Sequence, residues 1–258
     1  GQPFEIERIA VNGVTIRSWK NAPPSMTAVL EKSRAHGDKE FIVYQDERLS
    51  FEEHYRRVAA VANRLVADFG IAKGDRVAIA MRNYPEWPVA FWAAVAAGAI
   101  VVPLNAWWTG SELGYALSDA GVKLLFADQQ RLERLTAVES TPPLMRVVGV
   151  RCESLPAGAT DFQSLLGGAS ANAVLPAVEL RPEDDATIFY TSGTTGHPKG
   201  ALGTHRNFCS VVTSMAHAQT ATMLRMGSSP ADLDALRRVP QATLLTVPLF
   251  HVSGCHGM

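Results

Sequence analysis

Apolar and polar residues alternate in "FEIERIAVNGVTIRSW" (4–19) around Asn12-Gly13, a dipeptide suited to the positive φ angles of a two-residue turn. The pattern predicts an antiparallel hairpin. From Met26 to about His36 the apolar spacing becomes helical, and "EFIVYQDERLSF" (40–51) reads as a second hairpin turning at Asp46-Glu47. Ser50, with Glu53 three residues on, has the form of a capping box. It opens a helix that keeps Tyr55, Val58, Ala62, Leu65 and Val66 near one face until Gly70.

Beyond Gly70 short apolar runs alternate with helical spacing. Strands are predicted at 75–81, 99–104 and 123–128, with helices from about Trp87 to Ala97 and from about Ser111 to Ala120. Residues 142–182 are richer in Pro, Gly and Ala, carry one short strand at "MRVVGV", and read as linker-like. Then come a strand at "ATIFYTS", a helix capped by Thr204, and a strand at "ATLLTVPLF" (242–250). Strands alternating with helices predict a layered α/β fold with mostly parallel sheets flanked by helices, behind N-terminal β-hairpins. Four segments result: 1–50 hairpin-rich, 51–141 a first α/β unit, 142–182 linker-like, and 183–258 the start of a second unit.

Composition narrows the function classes. Twenty-four Lys and Arg against twenty-five Asp and Glu leave a formal charge of -1, so no global field draws the chain to nucleic acid or anionic lipid. Cys152, Cys209 and Cys255 are odd in number and far apart, which suits a reducing, cytoplasmic setting. The apolar stretch 89–104 is too short for a transmembrane segment and is broken by Gly98 and Pro103, so it reads as a buried helix followed by a buried strand.

The candidate chemistry lies in "YTSGTTGHPKG" (190–200), which follows an apolar strand. Gly193 and Gly196 open backbone conformations closed to other residues. Thr191, Ser192, Thr194 and Thr195 offer hydroxyls, and Lys199 supplies positive charge. A strand running through such a loop towards a helix suits phosphate. The loop is not a Walker loop, because Lys199 follows Pro198 and precedes Gly200. His251, Cys255 and His256 lack the spacing of a zinc site. Trp107 and Trp108 read as packing residues at a strand-to-helix junction, and His205 as shaping a helix start.

The loop resembles the phosphate-loop signature of the adenylate-forming superfamily, which includes acyl-CoA synthetases, peptide-synthetase adenylation domains and beetle luciferases. "RLSFEEHYRRVAAVANRL", the stretch from Gly74 to Asp128, and "TVPLFHVSG" are similar, in order and spacing, to segments of fatty-acyl and related acyl-CoA synthetases. "VVPLNAWWTGSEL" is more similar to a CoA ligase than to a peptide-synthetase domain. The resemblance implies an incomplete N-terminal domain of the adenylate-forming fold. The implied parent is a ligase that joins a carboxylic acid, by the resemblance a fatty acid, to AMP with release of pyrophosphate and then passes the acyl group to CoA.

It further implies ATP and Mg²⁺ as cofactors, with Thr191 helping to hold the magnesium ion. Ser192, Gly193, Thr194, Thr195, Gly196 and Lys199 would contact the phosphates, and His251 would stand beside the carboxylate. Family motifs for adenosine, ribose and the C-terminal catalytic lysine are not found up to Met258, so the chain alone is expected to be inactive. A homodimer is compatible with this reading. The alternatives are an acyl-AMP ligase that delivers to a carrier protein, and a non-catalytic phosphate-binding or interaction fragment.

Overall fold

The computed structural model describes residues 3–258 other than 139, 140, 143, 168–171, 192–195, 230, 233, 234, 236–238 and 240. The first hairpin pairs β1 (Ile6–Val11) with β2 (Val14–Trp19), and both turn residues, Asn12 (φ 49°) and Gly13 (φ 79°), lie in the left-handed region as the dipeptide predicts. Trp19 Nε1 donates to Ser214 Oγ at 2.9 Å, which ties this hairpin to a distant helix. Helix α1 (Met26–Ser33) follows, capped by the Ser25 hydroxyl, and a single 3₁₀ turn extends it to His36.

The second hairpin joins β3 (Glu40–Tyr44) to β4 (Glu47–Ser50), and Tyr44 pairs with Glu47. Its turn is therefore Gln45-Asp46, one residue earlier than Asp46-Glu47, and Gln45 takes the positive φ of 50°. Continuing the alternation of Phe41, Val43 and Gln45 could not reveal which residue leaves the strand first. Ser50 accepts a hydrogen bond from Glu53 N at 3.1 Å and opens α2 (Phe51–Ala67). Only that half of the box is made, because the Glu53 carboxylate pairs with Arg57.

A seven-stranded sheet follows: β5 (Arg76–Ala80), β6 (Ile100–Pro103), β7 (Val122–Asp128), β8 (Arg146–Val150), β9 (Thr160–Asp161), β10 (Asp185–Thr191) and β11 (Lys199–Thr204). Its order is β11-β10-β6-β5-β7-β8-β9, and every pair is parallel except β10 with β11. Strand alternation divides the core. Val77, Ile79, Leu124 and Phe126 face α2 and the wholly buried α3 (Glu86–Ala96), whereas Ala78, Ala80, Leu125 and Ala127 face α4 (Gly110–Asp119) and α5 (Gln129–Leu135).

The same sheet runs through the segment read as linker-like, which supplies β8, β9 and the short helix α6 (Phe162–Leu165) with Phe162 and Leu165 buried. Two further differences concern pairing. Residues 241–246 form no strand, and Leu244 is 87% exposed; the place beside β10 is taken by β11, the segment that directly follows it in the chain. Helix α5 emerges because Asp128, the last residue of β7, also caps it through Arg131 N at 3.2 Å.

Helix α7 (His205–Arg225) starts behind a reciprocal Thr204–Asn207 capping box. The buried His205 accepts Met26 N–H on Nδ1 at 3.2 Å and so joins the start of α7 to that of α1. Burial lowers its pKa from 6.5 to about 4, and burial takes that of His54, on α2, to about 3. Both imidazoles are thus held neutral in the folded state, while the unfolded chain takes up protons near pH 6.5. The stability they contribute is fully present above about pH 6.5 and is lost as pH falls towards 4, with a slope approaching about 1.4 kcal/mol per pH unit for each proton. Urea unfolding at pH 7.5 and 5 is expected to show this loss. It should be smaller in His205→Asn, which keeps an acceptor for Met26 N–H; an equal loss in that variant would remove His205 from the account.

Candidate functional site at the carboxyl edge of the sheet

β10 runs parallel to β6, with Thr187 opposite Val101, so Thr191 ends at the same edge as Pro103, Ala80 and Asp128. In open α/β sheets this carboxyl edge is where ligands bind. The chain returns along β11 with Lys199 paired to Thr191 and Gly200 to Tyr190. The two sequence-predicted residues that flank the loop therefore face one another, and the Thr191 hydroxyl donates to the Lys199 carbonyl at 3.4 Å. Both side chains are exposed, and among the described residues Lys199 makes no ion pair. Gly196 has φ 106°, a conformation that L side chains rarely adopt. Ser192, Gly193, Thr194 and Thr195 lie outside the described residues.

One local expectation is corrected. The loop leads into β11, and α7 starts only after six residues of strand, about 20 Å away at an ordinary strand rise. The N-terminus of α7 therefore does not stand at the loop. The hairpin is braced on α4: Tyr190 donates its hydroxyl to Asp119 Oδ2 at 2.6 Å, and His197 stacks on Tyr115 with ring centroids 4.5 Å apart. Burial, then the Asp119 carboxylate, push the Tyr190 phenol well above its usual range.

His251 stands on a different segment. Asn83, just past β5, donates to Val247 O at 3.1 Å and accepts from Leu249 N at 2.9 Å, which pins 247–249 to the carboxyl edge. His251 then caps the short helix Val252–Cys255, its Nδ1 accepting from Ser253 N at 3.3 Å. In the neutral ring this bond places the proton on Nε2, so the exposed imidazole offers a donor to an oxygen ligand. Gly254 is sterically required, because a Cβ there would lie 2.2 Å from Pro248 O. Cys255 is buried and His256 stacks on Phe208 at 4.6 Å. Among the described residues no group of three His, Cys, Asp or Glu is placed to hold a metal.

The structure brings Thr191 and Lys199 together and links them to His251 through the loop between β6 and α4. Trp108 meets Tyr190 edge-on at 6.0 Å, as expected of a packing residue. Trp107 departs from that reading: it is 68% exposed and meets Phe250, the neighbour of His251, at 5.3 Å and 89°. Sequence reasoning missed Asn83 and the exposed Trp107. The available signal was their position just past strands whose carboxyl ends share an edge.

The hairpin supplies hydroxyl, ammonium and a glycine-permitted turn, a donor set for phosphate oxygens. Its fit to magnesium is partial and consistent: the exposed Thr191 hydroxyl is one neutral oxygen, and Mg²⁺ commonly takes few protein ligands beside phosphate and water.

Residues 29–258 match the family described as "AMP-binding enzyme". The long-chain-fatty-acid–CoA ligase FadD13 of Mycobacterium tuberculosis is 34% identical over 204 residues, 77% of this chain and 36% of that protein. The 4-coumarate–CoA ligase 2 of Oryza sativa is 30% identical over 207 residues, 76% of this chain and 33% of that one. The inhibitor-bound N-terminal domain of FACL13 from Mycobacterium tuberculosis superposes with a TM-score of 0.71 at 28% identity, covering 91% of this chain and 54% of that one. The chain thus spans about a third of the length of the curated relatives it matches. Among the described residues no helix is long and apolar enough to cross a membrane.

The brace on α4 is testable by itself. Tyr190→Phe removes the bond to Asp119 and is expected to lower stability by about 1 kcal/mol in urea unfolding. An unchanged midpoint would mean that Asp119 does not anchor the hairpin.

Proposed function

The chain belongs to the AMP-binding enzyme family, and on that footing we propose that it is part of the N-terminal domain of an ATP-dependent carboxylate–CoA ligase. The observation that carries this reading is Thr191 facing Lys199 across a hairpin at the carboxyl edge of a parallel sheet, with the Gly196 turn between them. The names of the relatives, ligases of quite different acids that share CoA, favour CoA over a carrier protein as acceptor.

In the proposed reaction a carboxylate oxygen attacks the α-phosphorus of ATP, and the bond from that phosphorus to the pyrophosphate oxygen breaks. Acyl-AMP and pyrophosphate result. A thiol sulfur then attacks the acyl carbon and AMP leaves. Lys199 and the hydroxyls of Thr191, Ser192, Thr194 and Thr195, with the backbone N–H groups of Gly193 and Gly196, hold the β- and γ-phosphates and stabilise the charge that gathers on the departing pyrophosphate. Mg²⁺, when bound with the Thr191 hydroxyl, neutralises phosphate charge. His251, with its proton on Nε2, orients the carboxylate rather than transferring a proton.

These groups account for polyphosphate and carboxylate, and none is assigned to adenosine or to the thiol step. The 258-residue chain alone is therefore expected not to turn over. The three free cysteines favour a cytoplasmic setting.

The test is carboxylate-dependent pyrophosphate release by the full-length ligase against a panel of acids, with and without CoA. Lys199→Ala is expected to lower release by about 10²-fold. Because Lys199 is exposed, its urea midpoint should match wild type. Unchanged release in Lys199→Ala would sink the phosphate assignment.

A further inference from the structure

A buried ion pair occupies the crevice where the sheet reverses its strand order. The chain passes from β5 outward to β6 and then back across β5 to β7, so the reversal lies between β5 and β7. That crevice is the usual ligand position in such sheets. Here Asp128 accepts Arg82 N at 3.2 Å and both its oxygens meet Arg131 Nη1, at 3.1 and 3.0 Å. The two side chains are 5% and 3% exposed. A buried pair of this kind contributes little net stability compared with apolar packing, because both charges lose their hydration. What it does provide is direction.

Arg131 Nε donates to Ala106 O at 2.8 Å, and Arg134 Nη1 donates to Ala106 O at 3.0 Å and to Trp108 O at 2.8 Å. The carbonyls on both sides of Trp107 are thus held by two guanidinium groups of α5, while Asn105 Oδ1 accepts Trp107 N at 2.9 Å. A large indole stays exposed on a backbone that cannot turn away.

We propose that Arg131, oriented by Asp128, is a positioning residue that holds the loop between β6 and α4 as a strut between the phosphate hairpin and His251. The inference rests on the reading of Thr191, Lys199 and His251 as substrate contacts. Trp108 bears on Tyr190 behind Thr191, and Trp107 bears on Phe250 beside His251. The strut sets the spacing of groups that the reaction must bring to one phosphorus and one carboxylate. Errors of that spacing lower the rate of the chemical step without weakening ground-state binding to the same degree.

The test compares the full-length ligase with its Arg131→Lys variant, which keeps the charge opposite Asp128 and loses the Nε donor to Ala106 O. Arg76→Lys serves as control, since Arg76 also holds carbonyls, those of Ala120 and Gly121, at the opposite edge of the sheet. Arg131→Lys is expected to lower kcat for pyrophosphate release about tenfold with KM for MgATP within about twofold. It should also raise acrylamide quenching of Trp107, obtained by difference from Trp107→Phe. Arg76→Lys should leave kcat and the quenching at wild-type values, whatever its unfolding temperature. A wild-type kcat in Arg131→Lys, or the same kcat loss in Arg76→Lys, would overturn the proposal. If the wild type releases no pyrophosphate with any acid, the ligase reading fails and the quenching decides: raised quenching confined to Arg131→Lys supports the strut, and unchanged quenching refutes it.

Discussion

The direction of one strand pairing governs where the candidate site of this protein lies. β10 lies parallel to β6, and through it to β5, β7 and β8, so the peptide that leaves β10 emerges where all of those strands end. Reversing β10 would carry Thr191 to the opposite edge, about 20 Å away for a seven-residue strand. Asn83, Trp107 and Asp128 would stay where they are. The antiparallel β11 exploits the edge this leaves, returning Lys199 to within a hydrogen-bonded register of Thr191 while its other end feeds α7. One hairpin added to the border of a parallel sheet thus turns a structural edge into a place where hydroxyl and ammonium groups converge.

What could be read from the chain depended on whether the deciding interaction was local. The Asn12-Gly13 turn, the Ser50 cap and the strand read at 75–81 all follow from residues a few positions apart, and each formed as expected. Pairing is not local. "ATLLTVPLF" has a strand's composition, but the place beside β10 is filled by "KGALGT", which despite its two glycines becomes β11 because it follows β10 through a short loop. Gly200 and Gly203 are needed there, since a Cβ would lie 2.7 Å from Ile188 Cγ2 and 2.9 Å from Thr187 Oγ1 respectively. Composition that looked like loop is composition that lets two strands lie close.

The site divides along the same line. Thr191, Gly196, Lys199 and His251 were named from the residue types around them, and the structure sets Thr191 opposite Lys199 with His251 on a separate segment. The exposure of Trp107 was hidden, since a tandem tryptophan beside a strand end is ordinarily core, and the carbonyls on either side of it are held by Arg131 and Arg134, more than twenty residues later. Asn83 was hidden for the same reason: its amide serves Val247 and Leu249, more than 160 residues distant.

On the proposed reading, electrostatics explains how so exposed a hairpin would handle polyphosphate. An ammonium 4 Å from a phosphate charge gains about 1 kcal/mol in water and about 4 kcal/mol at an effective dielectric of 20. Lys199, standing in solvent, is at the weak end of that range. Its full effect on a phosphate would require that water be displaced, so on this reading the hairpin is the half of the site whose strength depends on being covered. The loop held by Arg131 is the other half: the bond from Arg131 to Ala106 O is already formed away from water and gains nothing from closure. On the proposed reading, a loop braced in advance sets geometry before substrate arrives, and the exposed Lys199 would apply electrostatic stabilisation only once water is displaced.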